Sequence, residues 1–191
     1  MLSKQPDLQT VSLNEIARRA RMAKSNVYRY FETREDLMLA LLWEEWAGWR
    51  VALESWLETG AGASGTLRSY ASWVAASLAE RELLCALTAA LPSIVEHNLS
   101  EGRIREFKTG SLGFFQEVGA RLARAHPALE AERHSKTLYD LACLISGIYP
   151  HARPARAVAR VVGSPGLAWF RRDLESDLER YFWMLLHEKA V

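Results

Sequence analysis

Lys24, Ser25, Asn26 and Arg29 fall within six residues of one another, beside Tyr28 and Tyr30. These are the side-chain types that meet nucleic acid. Arg and Lys donate to guanine O6 and N7, and Asn pairs with adenine. Phenolic hydroxyls and cations hold phosphate oxygens. The charge pattern agrees. From Ser12 to Arg34 the cations are Arg18, Arg19, Arg21, Lys24, Arg29 and Arg34, against the carboxylates Glu15 and Glu32, whereas the 191-residue chain is only +1. A local positive patch on a near-neutral protein is the footprint of polyanion binding. Other chemistries lack their residues. The sequence has no Gly-rich phosphate loop, no GxSxG and no HExxH. None of the five histidines has an acid three residues before it, the spacing of di-iron bundles. Catalysis, a metal and a cofactor are therefore not expected.

Two short helices must position the basic set. Ser12 with Glu15 has capping-box spacing, and Leu13, Ile16, Ala17 and Ala20 follow on one apolar face. Arg21-Met22-Ala23 is a tight turn. Lys24-Ser25-Asn26 opens the second helix, whose apolar side is Val27, Tyr28 and Phe31. Thr33 with Asp36 repeats the N-cap pattern before a long third helix. Two helices joined by so short a turn make a helix-turn-helix, which lays its second helix in the major groove. The residues expected at DNA are Lys24, Ser25, Asn26 and Arg29 at base edges. Tyr28, Tyr30 and Arg34, with Ser12 and Asn14 at a helix N-terminus, are expected at phosphates.

The stretch IARRARMAKSNVYRYFETREDLMLALL resembles the DNA-binding domain of the TetR family of transcriptional regulators. The likeness lies in the helix-turn-helix, the Tyr-x-Tyr-Phe end of the recognition helix and the basic-acidic-Asp-Leu start of the next helix. It supports Tyr28 and Arg34 in particular as phosphate contacts. It implies an all-α protein, with a DNA-binding domain over 1–45 and a helical ligand-binding and dimerisation domain over 46–191. It further implies a double-stranded operator, a small-molecule effector, a homodimer, and repression as the usual outcome. Two features depart from the family. Arg21 stands where a turn glycine is usual, at a cost of about 1 kcal/mol if the backbone is left-handed. Only Met1 to Leu8, with Pro6 inside, precede a motif that the family leads with a full helix. A start lying upstream is the expectation. These departures keep a second reading open, a helical ligand-binding or protein-interaction module that has lost DNA binding.

The rest of the chain reads as helices throughout. About half the residues are apolar, and seven are Trp. Arg34–Glu58 is expected as one helix about 37 Å long, with Leu37, Leu41, Trp46, Val51, Leu53, Trp56 and Leu57 inward. Residues 60–65, rich in Gly, read as a flexible connection. Helices are expected over 67–79, 80–90, 93–99, 103–125, 129–149 and 169–188, with a short or irregular piece at 155–162. Pro150 is expected to stop the helix over 129–149. That helix and the last carry long apolar stripes, and Ala142, Ser146 and Gly147 would let helices approach closely, so a dimer of four packed helices is expected there. An effector cavity, implied by the resemblance, would draw on Trp73, Cys85, Phe107, Phe114, Phe115, Tyr139, Cys143 and Trp169. That lining suggests a mostly apolar ligand. Cys85 and Cys143 have no metal-site spacing and read as reduced thiols. No run of eighteen apolar residues and no signal segment appears, so a cytoplasmic protein without a membrane span is expected.

Overall fold

A computed structural model describes residues 12–19, 21, 23–63 and 65–187. Among them every regular element is helical: α1 Leu13–Arg19, α2 Lys24–Tyr28, α3 Arg34–Leu57, α4 Gly60–Ala63, α5 Leu67–Ala79, α6 Glu82–Ala90, α7 Glu101–Ala125, α8 Ala131–Ala152, α9 Arg156–Val162 and α10 Leu174–His187. Met1 to Leu8, the short lead into the motif, lie outside the described residues, as do Ala20 and the side chain of Ile16.

Local chemistry sets the helix starts. Ser12 Oγ accepts the Glu15 amide at 3.2 Å. Thr33 and Asp36 form a complete capping box, each side chain bonding the other's backbone N–H at 3.0 and 3.2 Å. Thr66 caps α5 through the Ser69 amide, and Ser100 caps α7 through the Arg103 amide. Because Ser100 is a cap and not a break, α7 takes in Glu101 and Gly102. Asp173 caps α10 by accepting the Ser176 amide at 2.9 Å. The last helix therefore begins at Leu174, five residues later than expected, and Ala168–Phe170 is a separate 3-10 turn.

Two cores share α3. The small one holds Leu13, Ala17 and Val27, with Phe31 and Leu37 packed on it. The large one begins at the next residue, Met38, and takes Leu39, Leu42, Trp46, Trp49 and Leu53 from α3. Of the expected inward row, Leu37 packs on the small core and Leu41, Trp46, Leu53, Trp56 and Leu57 on the large one, while Val51 is exposed. The large core is closed by α5, α6, α7, α8 and α10 packed around one another. On α10 the inward row is Leu174, Leu178, Phe182 and Leu186.

Three expectations fail for local reasons. The glycine-rich stretch after α3 makes a helical turn, α4, because a Cβ on Gly62 would stand 2.1 Å from the Trp56 carbonyl oxygen. Only glycine allows that approach, so the turn folds back on α3. Pro92 sits in a π-helical turn over Leu91–Val95 that continues α6, followed by a 3-10 turn over Glu96–Asn98. Pro150 does not stop α8, which runs on to Ala152. Pro150 has no N–H to give the carbonyl one turn back, so α8 forgoes one helix hydrogen bond there and ends two residues later. No described helix is long and apolar enough to cross a membrane.

Candidate nucleic-acid interface and interdomain cleft

The recognition helix α2 is held by one side chain. Val27 is buried against Leu13 and Ala17, while Lys24, Ser25, Asn26, Tyr28, Arg29 and Tyr30 are all exposed. Exposed polar residues over a single apolar anchor leave the face open to a duplex. The turn that aims α2 passes through Arg21 at φ +55°, the left-handed conformation that ordinarily takes glycine. The Arg21 amide donates to the Arg18 carbonyl at 3.3 Å, so the turn closes with arginine in the glycine position.

The expected phosphate contacts fall partly together. Ser12, Tyr28 and Arg34 border one shallow concavity of about 360 Å³ at the start of α1. Asn14 is exposed one residue into α1. Arg34 Nη2 pairs with Glu35 at 2.8 Å, which holds the guanidinium at the rim of the concavity. Tyr30 projects on the other side of the motif, into a second and larger space.

That larger space is an open cleft of about 740 Å³ where the small core meets the large one. Tyr30, Phe31 and Glu32 form one wall, Trp43 of α3 another, and Arg103 and Phe107 of α7 the third. Arg103 spans it, donating to Asp36 Oδ1 from Nη2 at 3.0 Å and to Glu106 from Nη1 at 2.6 Å. Burial acts to raise the Asp36 pKa, but hydrogen bonds from Thr33 and Arg103 outweigh it and hold the carboxyl below its ordinary value. The cleft could not be read from spacing, because its walls are drawn from segments some seventy residues apart.

Of the eight residues expected around an effector, four are brought together. Phe107, Phe114 and Phe115 do cluster, edge-on to Trp43 and tilted on Trp46, with ring centroids 5.4–6.4 Å apart. Trp73 is elsewhere, stacked on Trp56 at 4.9 Å. Cys85 is buried and donates its thiol to the Leu78 carbonyl; burial pushes that thiol up to about 12. Tyr139 joins the cluster edge-on to Phe115 at 5.9 Å, and Cys143 stands exposed one helical turn further along α8. Trp169 is 84% exposed against Phe170, because the last helix starts beyond it. Aromatic identity marked these residues in the sequence, but the turn of each helix decides which way they face.

A recognition helix with an outward polar face, braced by α1 and carried on a long helix rooted in a helical body, defines a helix-turn-helix DNA-binding protein. Residues 2–41 match the bacterial regulatory proteins of the tetR family, and residues 43–187 match the tetracyclin repressor-like C-terminal domain. The chain belongs to the TetR family and is a DNA-binding transcriptional regulator. No curated protein matches it.

Proposed function

We propose that this regulator represses transcription as a homodimer on a palindromic operator and is released by a small, mostly apolar effector. The exposure of the whole polar face of α2 over its Val27 anchor carries the reading. Lys24, Ser25, Asn26 and Arg29 read base edges. Tyr28, Arg34, Ser12 and Asn14 hold the backbone that fixes the register, while Tyr30, also expected at phosphate, lines the cleft instead. Phe107, with Trp43 edge-on to it, supplies apolar surface for the effector.

The dimer face is on α8 and α10. Tyr139, Cys143, Gly147 and Pro150 are exposed at three- and four-residue spacing along α8, and Met184 is exposed on α10. Such a stripe, largely apolar and with Tyr139 braced edge-on against Phe115 at 5.9 Å, suits a two-fold helix packing. Ser146, expected to face the partner, turns inward and donates to the Thr88 carbonyl at 3.0 Å. Gly147 remains as the point of close approach.

Binding to a panel of operator variants at two salt concentrations tests the assignment. Tyr28→Ala and Arg34→Ala should weaken binding to every sequence alike, and Asn26→Ala and Arg29→Ala should change the preferred sequence. Equal losses from all four variants would refute the division of labour. Absence of salt-dependent duplex binding would refute the regulator reading itself.

A further inference from the structure

We propose that the cleft between the two cores is the effector site, and that it takes a small organic cation with a flat aromatic body. The proposal deepens the reading above and rests on it, placing the effector at the junction of the DNA-binding motif and the helical body. At about 740 Å³ the cleft lies in the range of small-molecule sites.

Its chemistry selects the charge. Three carboxylates line it, Glu32, Asp36 and Glu106, against one guanidinium, Arg103. Arg103 is occupied by both Asp36 and Glu106. Glu32 is exposed and has no ion-pair partner among the described residues. The lining is thus two charges negative, which repels phosphate and excludes the cleft as an extension of the DNA face. The apolar surface selects the body. Trp43 and Phe107 meet edge to face at 5.7 Å, and Tyr30 lines the same cleft, 71% exposed; Lys108 Nζ already stands 5.8 Å from the Phe107 ring, which leaves Trp43 and Tyr30 as the rings for a ligand cation. Aromatic faces beside carboxylates attract a cation on both counts. At Gly110 a Cβ would stand 3.0 Å from Trp43 Cζ2, so the bare glycine gives the indole its place in the wall.

The walls also supply the coupling. Phe31 lines the cleft and packs on the small core that seats Val27 of the recognition helix. Leu39 lines the cleft and belongs to the large core. An occupant touching both is sensitive to how the cores sit relative to each other. A ligand that favours one such arrangement over the other shifts DNA affinity by the same factor that DNA shifts its own.

The probes are 1-naphthylmethylammonium and 1-naphthoate, one aromatic body with opposite charges, titrated by calorimetry into the full chain without DNA. The cation should bind, and the anion should bind about tenfold more weakly or not at all. Ala40→Phe, at an exposed position of α3 lining the cleft, should fill the space and weaken the cation about tenfold or more. Glu32→Gln, a surface change that leaves folding intact, should weaken it about threefold. Equal binding of the two probes, no binding of the cation, or indifference to both substitutions would overturn the proposal. The regulator reading is separated by a duplex titration of the same protein. Loss of operator binding alongside intact, Ala40-sensitive probe binding refutes the regulator and supports the cleft. Operator binding with probe binding indifferent to Ala40→Phe refutes the cleft alone.

Discussion

Arg21→Gly should tighten the helix-turn-helix while weakening its hold on DNA. Arg21 sits at φ +55°, where a Cβ crowds the following carbonyl at a cost of about 1–2 kcal/mol. Glycine relieves that strain but gains freedom in the unfolded chain, which takes back about 0.5–1 kcal/mol. The net gain is about 0.5–1 kcal/mol, a two- to fivefold shift at ~25 °C in any opening that breaks the turn. It acts on a core with three buried apolar side chains, Leu13, Ala17 and Val27, so it is felt locally. Hydrogen exchange reads it directly. The amides of Arg29, Tyr30 and Phe31, which donate to the Ser25 and Val27 carbonyls, should exchange about two to five times more slowly. Amides in α5 and α6 should not change. Arg21→Asn, which tolerates the same conformation with less unfolded freedom, should do as well or better. Either variant removes a cation, and if Arg21 meets a phosphate the salt slope of operator binding falls by about 0.9. Unchanged or faster exchange in both variants would refute the claim that the turn is strained.

Tyr70→Phe should stabilise the protein. Tyr70 is fully buried, its hydroxyl has no hydrogen-bond partner among the described residues, and burial pushes its pKa well up. Deleting an unpaired buried hydroxyl while keeping the ring against His126 and Phe182 should raise stability by about 1 kcal/mol. A lower urea midpoint in the variant would show that the hydroxyl is paired in solution. Acid should act through the neighbouring histidines. Burial lowers the pKa of both His126 and His134 below the ordinary 6.5. The unfolded chain then binds protons that the folded chain refuses, so stability is complete above about pH 6.5 and falls as pH drops toward the folded values. Melting followed from pH 8 to 5 should show a plateau, then a decline that shrinks when both are replaced by glutamine. Asp36 and Asp173, whose carboxyls are held below 3.8, lose their contribution only in more acid solution. Stability that rises on acidification between pH 6.5 and 5 would refute the assignment.

What could be read from residue order was whatever one turn of helix determines. Thr33 with Asp36 announced the start of α3, and its end at Leu57 lies one residue from the expected Glu58. The helix expected over 67–79 is likewise α5, with Thr66 as its cap. Glycine was misread where its role is contact and not freedom. Gly62 permits a helical turn against Trp56, so composition that suggests a linker instead makes a tight junction. Which way the expected effector residues face is likewise not set by spacing. Tyr139 and Cys143 are four apart, so their sharing a face was visible, but whether that face turns to the core depends on where α6, α7 and α10 lie. The cleft is a fact of assembly alone, since Tyr30, Trp43 and Arg103 have no local relation.

The division of α3 between two cores explains how so few contacts can govern DNA affinity. Leu37 belongs to the small core and Met38 to the large, so the helix is clamped at both levels along its own length. Its fixed point is Trp49, 1% exposed, with its indole N–H bonded to Ser77 at 3.0 Å. From there to Arg34 is about 22 Å at 1.5 Å per residue. A tilt of about 8° about Trp49 therefore carries the recognition helix some ~3 Å. In the proposed dimer two such displacements change the separation of the recognition helices by up to ~6 Å, against a DNA repeat of about 34 Å. Hydrogen bonds to base edges tolerate only a few tenths of an ångström beyond 3.2 Å. The Arg103 to Asp36 contact lies two residues from the moving end and joins it to α7. Such an exposed pair adds little to stability. Its position would make it a stop on such a tilt, and the proposed occupant of the cleft would act on the same residues.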